Sequence, residues 1–350
     1  MSPLLTAVLE IVPWMQHRAD ALDRDAAFPA EEIARLRTIG ALSPPLPLLG
    51  AAGAEELAAL LTLAGQGNLS IGRILEAHVN ALHLMGRFGR AGNDADGRLY
   101  ALWVTDAPTG GLCMRRTGNR IILSGSKQFC SGAGHVTGAL VTARDEHGDT
   151  RMLVLPLGIG ETVKPLPSPL QGMRAAVTGA VDFTRCEVSA TALLGSAGDY
   201  LREPDFSAGA WRGSAVALGG LIALLDHAVA QLRDSGRIDS PHAQARLGQA
   251  IIARETSRLW VDAAARAAEE ASAETGYRVA TVGLARIAVE TACLEAMRLM
   301  QRSLGLSAFR HGNPIELICR DLSTYLRQPA PDEVLTEAAV WFAGHPRARL

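Results

Sequence analysis

The stretch YALWVTDAPTGGLCMRRTGNRIILSGSKQFCS, residues 100–131, decides the fold class of this chain. Its first residues are apolar and rich in β-formers, and Gly118–Asn119 is a tight-turn signal directly before the apolar run RIIL. The segment 138–157 predicts two apolar strands around a polar turn, and 176–189 predicts another strand. Together these runs predict a small, mostly antiparallel β-domain at 97–200.

The segments on either side of this β-domain have the periodicity of helices. Within 1–96, apolar residues recur at helical spacing. Within 201–350, long helical runs, one of which ends at Gly305, favour an antiparallel four-helix bundle. The sequence therefore predicts a mostly α, α+β protein with an N-terminal helical domain, a middle β-domain and a C-terminal helical bundle.

The composition excludes several classes of protein. Of the 350 residues, 48% are hydrophobic and 20% are charged, which is too apolar for a disordered chain. The net charge of −2 and the lack of a basic block argue against nucleic acid as the main partner. Five scattered cysteines, without CxxC or Cys/His ligand spacing, predict neither a disulfide framework nor a metal site. With no basic leader before an apolar core and no run of about 18 apolar residues, we expect a cytoplasmic protein without a membrane span.

The usual phosphate, nicotinamide, zinc and serine-hydrolase signatures are absent from the sequence. Two glycine-rich stretches remain, at 105–112 and 124–135, where the backbone either approaches a ligand closely or forms a plain turn. His78, Asn80 and His83 share one predicted helix, as packed polar residues or as ligand contacts. Residue spacing alone thus predicts a ligand cleft at the junction of β-domain and bundle.

Six segments, in order and at similar spacing, resemble the acyl-CoA dehydrogenase family of flavoproteins. The resemblance covers nearly the whole chain and is strongest at about 100–195 and 205–328. They stand where the family has its V-T-E-P loop, its N-G-x-K-x-[WF]-I-[ST] hairpin, its V-x-V-P strand pair, its R…Q helix region, its Q-x-x-G-G segment and its R-D segment. The segments are ALWVTDAPTGGL (101–112), GNRIILSGSKQFCSGAG (118–134), LQGMRAAVTGAVDFTRCEVSATALLG (170–195), RDSGRIDSPHAQ (233–244), QRSLG (301–305) and CRDLSTYL (319–326).

This resemblance implies a fold of three parts, in which the middle domain is β-barrel-like and the last is a four-helix bundle. It implies FAD as the cofactor, at the junction of β-domain and bundle, with its adenine end reaching across a subunit interface. It also implies a homodimer or, more usually in the family, a homotetramer.

The resemblance assigns the flavin ring to two segments of the β-domain. Leu102, Val104 and Thr105 match the loop along the isoalloxazine, where a backbone N–H and a hydroxyl can hydrogen-bond the polar edge of the ring. Phe129 matches the aromatic residue that covers the ring face, with a core aromatic as the alternative. Ser131 matches the hydroxyl near flavin N5, and we expect it on the same strand face as Phe129.

Four residues of the bundle match contacts to the rest of FAD. Arg233 and Gln244 match the pair that serves the pyrophosphate and adenine of a neighbouring subunit's FAD, since an arginine pairs well with phosphate. Two solvated polar residues near helix ends are the alternative. Gln301 and Gly305 match the glutamine–glycine segment that also meets the partner's FAD.

The catalytic carboxylate of the family is missing from both of its known places. In most members a Glu shortly after R-D removes the α-proton of the substrate while the flavin accepts a hydride, and that place is Pro329 here. In a second subgroup the Glu stands near the position of Gly209. Asp332 and Glu333 follow Pro329, as candidates for the base or as caps in the first turn of the last helix.

Three functions agree with these residues. The first is an FAD-dependent, acyl-CoA dehydrogenase-like oxidoreductase that acts on CH–CH groups of an acyl thioester or related small molecule. Its electron acceptor is a flavoprotein or oxygen, and its use of CoA stays open because Gly111–Leu112 replaces the family's S-D pair. The second is a flavin-dependent monooxygenase of the same fold, which needs no glutamate. The third is a catalytically inactive flavin-binding subunit.

Overall fold

The computed structural model describes residues 1–43, 51–89, 97–346 and 348. These residues form two compact units. The first comprises 1–73, 171–175 and 207–350, and the second comprises 74–170 and 176–206. The finer division of the chain at 96 and 200 stays a prediction.

The first unit is helical, and several of its helices begin or end at residues that favour helix ends. Pro241, Pro314 and Pro331 each occupy the first turn of a helix, where a missing N–H leaves no hydrogen bond unmade. Gly305 ends another with φ +66°, as the sequence predicts. The helices that begin in this unit are α1 (Pro3–Arg24), α2 (Ala30–Ile39), α3 (Ala51–Gly67), α4 (Leu69–Arg87, continuing into the second unit), α6 (Trp211–Asp234), α7 (Pro241–Glu269), α8 (Thr275–Leu304), α9 (Pro314–Tyr325) and α10 (Pro331–Gly344). A short helix, α5 (Asp205–Ala208), precedes α6.

The core of the first unit is built around α6, which packs against α3, α7, α8 and α9. Gly219 allows the close approach of α3, because a Cβ at this position would lie 2.1 Å from the carbonyl oxygen of Thr62. Among the described residues, one stretch, 205–234, is long and apolar enough to cross a membrane, and 67% of its most apolar window is buried inside the protein. That burial is typical of the central helix of a bundle.

The second unit is built on two sheets. The larger has the strand order β10-β6-β5-β2-β3-β9, with β1 also paired to β5, and the smaller has the order β4-β8-β7. The pairs are antiparallel except β1–β5 and a single β2–β5 pair. The strands are β1 (Tyr100–Trp103), β2 (Cys113–Thr117), β3 (Arg120–Ser124), β4 (Ser126–Cys130), β5 (Gly138–Arg144), β6 (Thr150–Pro156), β7 (Thr162–Pro165), β8 (Gly179–Asp182), β9 (Glu187–Ser189) and β10 (Leu193–Leu194).

The hairpin predicted from Gly118–Asn119 is confirmed, since Thr117 pairs with Arg120 across this two-residue loop. Gly125 lies between β3 and β4 and carries the chain from the larger sheet to the smaller. Its φ is +105°, and a Cβ there would lie 2.4 Å from the carbonyl oxygen of Gly111. Only glycine fits this crossing, which brings β4 against the loop 104–111.

Candidate functional site

β1 leaves one of its edges open. The N–H of Gly138 donates to the carbonyl of Leu99, whereas the N–H of Tyr100 donates to Nδ1 of His78 at 3.0 Å. Because successive strand residues direct their backbone groups to opposite edges, Leu102 directs its N–H and C=O to the same side as Tyr100, away from β5. Within the described ranges no strand pairs with that edge.

The loop after β1 continues this open edge. Val104 is half-buried and Thr105 is exposed. The carbonyl of Thr105 accepts the N–H of Gln128 at 2.9 Å, but the N–H of Thr105 meets no acceptor in the described part of the chain. The loop therefore presents a backbone donor to solvent while its next carbonyl is held by β4.

A β-bulge sets Phe129 apart on β4. Between Lys127 and Cys130 the register with β8 shifts, so that β4 has one residue more than its partner. Phe129 adopts φ +54°, and its side chain is 51% exposed. A left-handed conformation costs a residue other than glycine about 1–2 kcal/mol, and strain of this kind is concentrated at functional sites. The bulge thus turns a large aromatic ring out into solvent.

Ser131 does not share a strand face with Phe129, contrary to the expectation from strand alternation. β4 ends at Cys130, and Ser131 begins the following turn with only 8% of its surface exposed. Its carbonyl accepts the indole N–H of Trp103 at 3.0 Å. This contact joins the end of β4 to the end of β1, so the two segments that the resemblance assigns to the flavin ring are adjacent.

A buried lysine lies between these two segments. Lys127 is 1% exposed, and its Nζ donates to the carbonyl of Val104 at 3.1 Å, to Oδ1 of Asp106 at 2.6 Å and to Oγ1 of Thr142 at 2.9 Å. Burial lowers the pKa of Lys127, and the hydrogen bond and charge of Asp106 oppose that shift. Asp106 and Lys127 both fall in motifs quoted from the sequence, but their spacing gives no signal that they form this network.

We call the residues Leu102, Val104, Thr105, Phe129 and Ser131 the β1–β4 surface. An isoalloxazine ring is a flat aromatic plate with a polar edge. Phe129 offers a half-exposed aromatic face to such a plate, and the open backbone of Leu102 with the N–H of Thr105 offers partners to a polar edge. Leu102, Thr105 and Phe129 therefore fit a flavin ring.

The four bundle residues that the resemblance assigns to FAD lie at one end of the first unit. Arg233 is in the last turn of α6 and Gln244 is in the first turn of α7, both exposed, while Gln301 and Gly305 are at the end of α8. Arg237, in the α6–α7 connection, ties these helix ends together, because it donates to the carbonyls of Ser303 and Leu304 at 3.2 and 3.3 Å. Gln301 is half-buried.

The acids near the family's base position are placed as helix caps. Pro329 is exposed, and its carbonyl accepts from Arg286 at 2.5 Å. Asp332 and Glu333 are exposed in the first turn of α10, where the free N–H groups of a helix favour negative charge. Their exposure gives neither carboxylate the desolvated setting that a proton-abstracting base needs. Among the described residues, no three His, Cys, Asp or Glu side chains cluster to hold a metal ion.

Comparison with known proteins identifies the fold. No protein-family model matches the chain, and no curated protein sequence matches it. Solved structures match over nearly all of it. FMN-bound TdsC, a dibenzothiophene monooxygenase from Paenibacillus sp. A11-2, has a TM-score of 0.85 at 16% identity, covering 98% of each chain. Methanesulfinate monooxygenase MsuC from Pseudomonas fluorescens has 0.84 at 21%, covering 100% of this chain and 98% of its own.

A dehydrogenase is also among these neighbours. The glutaryl-coenzyme A dehydrogenase in complex with glutaryl-CoA has a TM-score of 0.84 at 19% identity, covering 98% of this chain and 95% of its own. The chain therefore has the acyl-CoA dehydrogenase fold, with helical N- and C-terminal parts and a middle β-domain, and the resemblance noted from the sequence is confirmed at the level of the fold.

Proposed function

We propose that this chain is a flavin-dependent oxidoreductase that acts on a small molecule. The observation that carries the proposal is the β1–β4 surface. A strained, half-exposed Phe129 lies beside open backbone groups at Leu102 and Thr105, on a fold whose solved members include flavin-bound enzymes.

A bound flavin supplies two-electron chemistry, accepting a hydride when oxidised and reducing dioxygen when reduced. Leu102 and Thr105 would hold its polar edge through their backbone, and Phe129 would cover one face. In this arrangement the chain's own residues bind and orient the ring and keep water from the covered face.

Of the two reaction classes, we favour the monooxygenase over the acyl thioester dehydrogenase. A dehydrogenase needs a carboxylate to remove the α-proton, and the place of that carboxylate is Pro329, followed by two exposed capping acids. A monooxygenase of this fold needs no such base. Two of the three neighbours compared above are monooxygenases, in agreement with this choice.

We propose FAD as the flavin and a second copy of the chain as the partner. Arg233, Gln244, Gln301 and Gly305 lie at one end of the first unit, and Leu306 and Phe309, shortly after Gly305, are 82% and 56% exposed. Exposed apolar side chains beside a cationic one suit an interface that encloses a dinucleotide.

Titration of wild type and the Arg233→Ala/Gln244→Ala variant with FAD and FMN tests the assignment of FAD to these residues. FAD affinity is expected to fall in the variant and FMN affinity to stay unchanged, whereas equal effects on both flavins would contradict the assignment.

The reaction class is tested with a supplied flavin reductase and a panel of small acceptors. Oxygen-dependent product formation is expected with reduced flavin, and an anaerobic mixture with acyl-CoAs is expected to leave the visible absorbance of the flavin unchanged. Bleaching of the flavin by an acyl-CoA without oxygen would overturn the monooxygenase assignment in favour of a dehydrogenase. The cytoplasmic location stays a prediction.

A further inference from the structure

Lys127 is in an unusual place for a lysine. The chain has two lysines, Lys127 and Lys164, and Lys127, in the second unit, is 1% exposed. An ammonium group has three N–H donors, and those of Lys127 meet three acceptors, on Val104, Asp106 and Thr142. Burying such a charge has a large desolvation cost, and the three acceptors offset part of it.

Stability alone does not account for this lysine. A buried ion pair is often no more stabilising than well-packed apolar residues of similar size. The partner carboxylate of Asp106 is 36% exposed, so water can solvate it if the ammonium group is removed. The carbonyl of Val104 is different. Among the described residues, its hydrogen-bond donors are Lys127 Nζ at 3.1 Å and Oγ1 of Thr142 at 3.3 Å.

The geometry of the peptide bond connects that carbonyl to the β1–β4 surface. In a planar trans peptide the C=O of one residue and the N–H of the next point in opposite directions. Since Lys127 and Thr142 hold the carbonyl of Val104 on the buried side, the N–H of Thr105 is directed to the exposed side. The following carbonyl, on Thr105, is held in turn by the N–H of Gln128, the residue before Phe129.

We propose that Lys127 is a positioning residue of the flavin site, which fixes the carbonyl of Val104 and so orients the N–H of Thr105 toward the polar edge of the bound ring. The inference rests on the proposed function. It deepens that function, because it states how the loop that meets the ring is held in its binding conformation. One side chain thereby links the loop 104–106 to the strand that carries Phe129.

The test compares Lys127→Met with Lys164→Met. Methionine keeps the length of the lysine stem without its donors. Lys164 is the matched control, because it is exposed, also lies in the second unit and also pairs with an aspartate, Asp182 at 3.0 Å. Flavin-free protein of each variant is titrated with oxidised flavin and, without oxygen, with reduced flavin, and circular dichroism verifies the fold.

Lys127→Met is expected to weaken the binding of oxidised flavin about tenfold, which corresponds to the loss of one hydrogen bond. The binding of reduced flavin is expected to weaken about a hundredfold, because a hydrogen bond to a charged acceptor is about twice as strong. This tenfold difference between the two states corresponds to a fall of about 30 mV in the midpoint potential of the bound flavin. A merely structural role would weaken both states equally, and Lys164→Met is expected to change neither.

Equal flavin affinities of Lys127→Met and Lys164→Met would overturn the inference, as would a loss that is the same for oxidised and reduced flavin. If Lys127→Met does not fold, Thr142→Val takes its place, since it removes one of the two donors to the carbonyl of Val104 and is expected to weaken reduced flavin more than oxidised flavin. Failure of the wild type to bind any flavin would overturn the proposed function, and this inference with it. Binding by the wild type with unaffected variants would overturn this inference alone.

Discussion

Asp321 on α9 is a buried carboxyl group that makes the stability of the first unit depend on pH. Its side chain is 5% exposed, and Oδ1 accepts the N–H of Met173 at 2.6 Å. Burial raises the pKa of Asp321 from its ordinary 3.8 to about 7, although the N–H of Met173 and the charge of Arg320 oppose the shift. The charges of Asp23 and Glu316 add to it.

The sign of the effect follows from proton binding. Between pH 3.8 and about 7 the folded chain holds a proton on Asp321 that the unfolded chain has lost. The free energy of unfolding therefore falls as the pH rises through this window, by about 1.4 kcal/mol for each pH unit. Between pH 5 and 8 the wild type is expected to lose about 3 kcal/mol through this group alone.

The perturbation is Asp321→Asn, which keeps an oxygen to accept from Met173 but cannot ionise. Relative to wild type, the variant is expected to gain about 3 kcal/mol in the free energy of unfolding between pH 5 and pH 8. Urea unfolding followed by circular dichroism at several pH values measures this gain. The change of this difference with pH is the quantity that tests the prediction. A difference that is the same at every pH reports only how well the asparagine amide fits the site.

Asp182→Asn is the control for this measurement. Hydrogen bonds from Thr184, followed by the one from Lys164, lower the pKa of Asp182 to about 2, so its contribution is present above pH 3.8 and is lost only below it. Its difference from wild type is therefore expected to stay flat between pH 5 and 8. If the Asp321→Asn difference is equally flat, Asp321 is ionised throughout and the burial argument is refuted.

Two further substitutions test the strained strand and the helix packing. Phe129→Gly is expected to keep or raise the melting temperature, because glycine adopts φ +54° without strain. The same variant is expected to weaken flavin binding about fivefold to tenfold, because the aromatic ring is lost. Phe206→Ala is the control, at another half-exposed phenylalanine, and should leave flavin binding unchanged. Gly219→Ala is expected to destabilise the fold by about 1–3 kcal/mol, because the new Cβ would meet the backbone of α3. Gly248→Ala on α7 is the control. A Cβ there has no atom within 4 Å, so this variant should stabilise the fold by about 0.5–1 kcal/mol. Equal melting temperatures of the two variants would contradict the α3–α6 packing.

Local signals in the sequence were enough to predict much of the fold. The Gly118–Asn119 hairpin and the end of α8 at Gly305 follow from turn and capping chemistry, which act over a few residues. The order of helical, β and helical segments follows from hydrophobic period. The structure confirms the hairpin and the end of α8.

The site was less predictable, because its geometry depends on contacts between distant segments. Lys127 is buried only because three acceptors from the loop 104–106 and from β5 converge on it, and a lysine in a sequence predicts exposure. The bulge at Phe129 arises from a register shift against β8, some 50 residues later in the chain. For the same reason, strand alternation wrongly placed Phe129 and Ser131 on one face.

The measurement that tests the central claim most directly is flavin binding by the purified chain. Protein freed of cofactor is titrated with FAD and FMN, in the oxidised state by visible absorbance and, without oxygen, in the reduced state. Saturable binding with a stoichiometry of one flavin per chain, weakened by Phe129→Gly, is the predicted result. No binding of either flavin in either state would contradict the account.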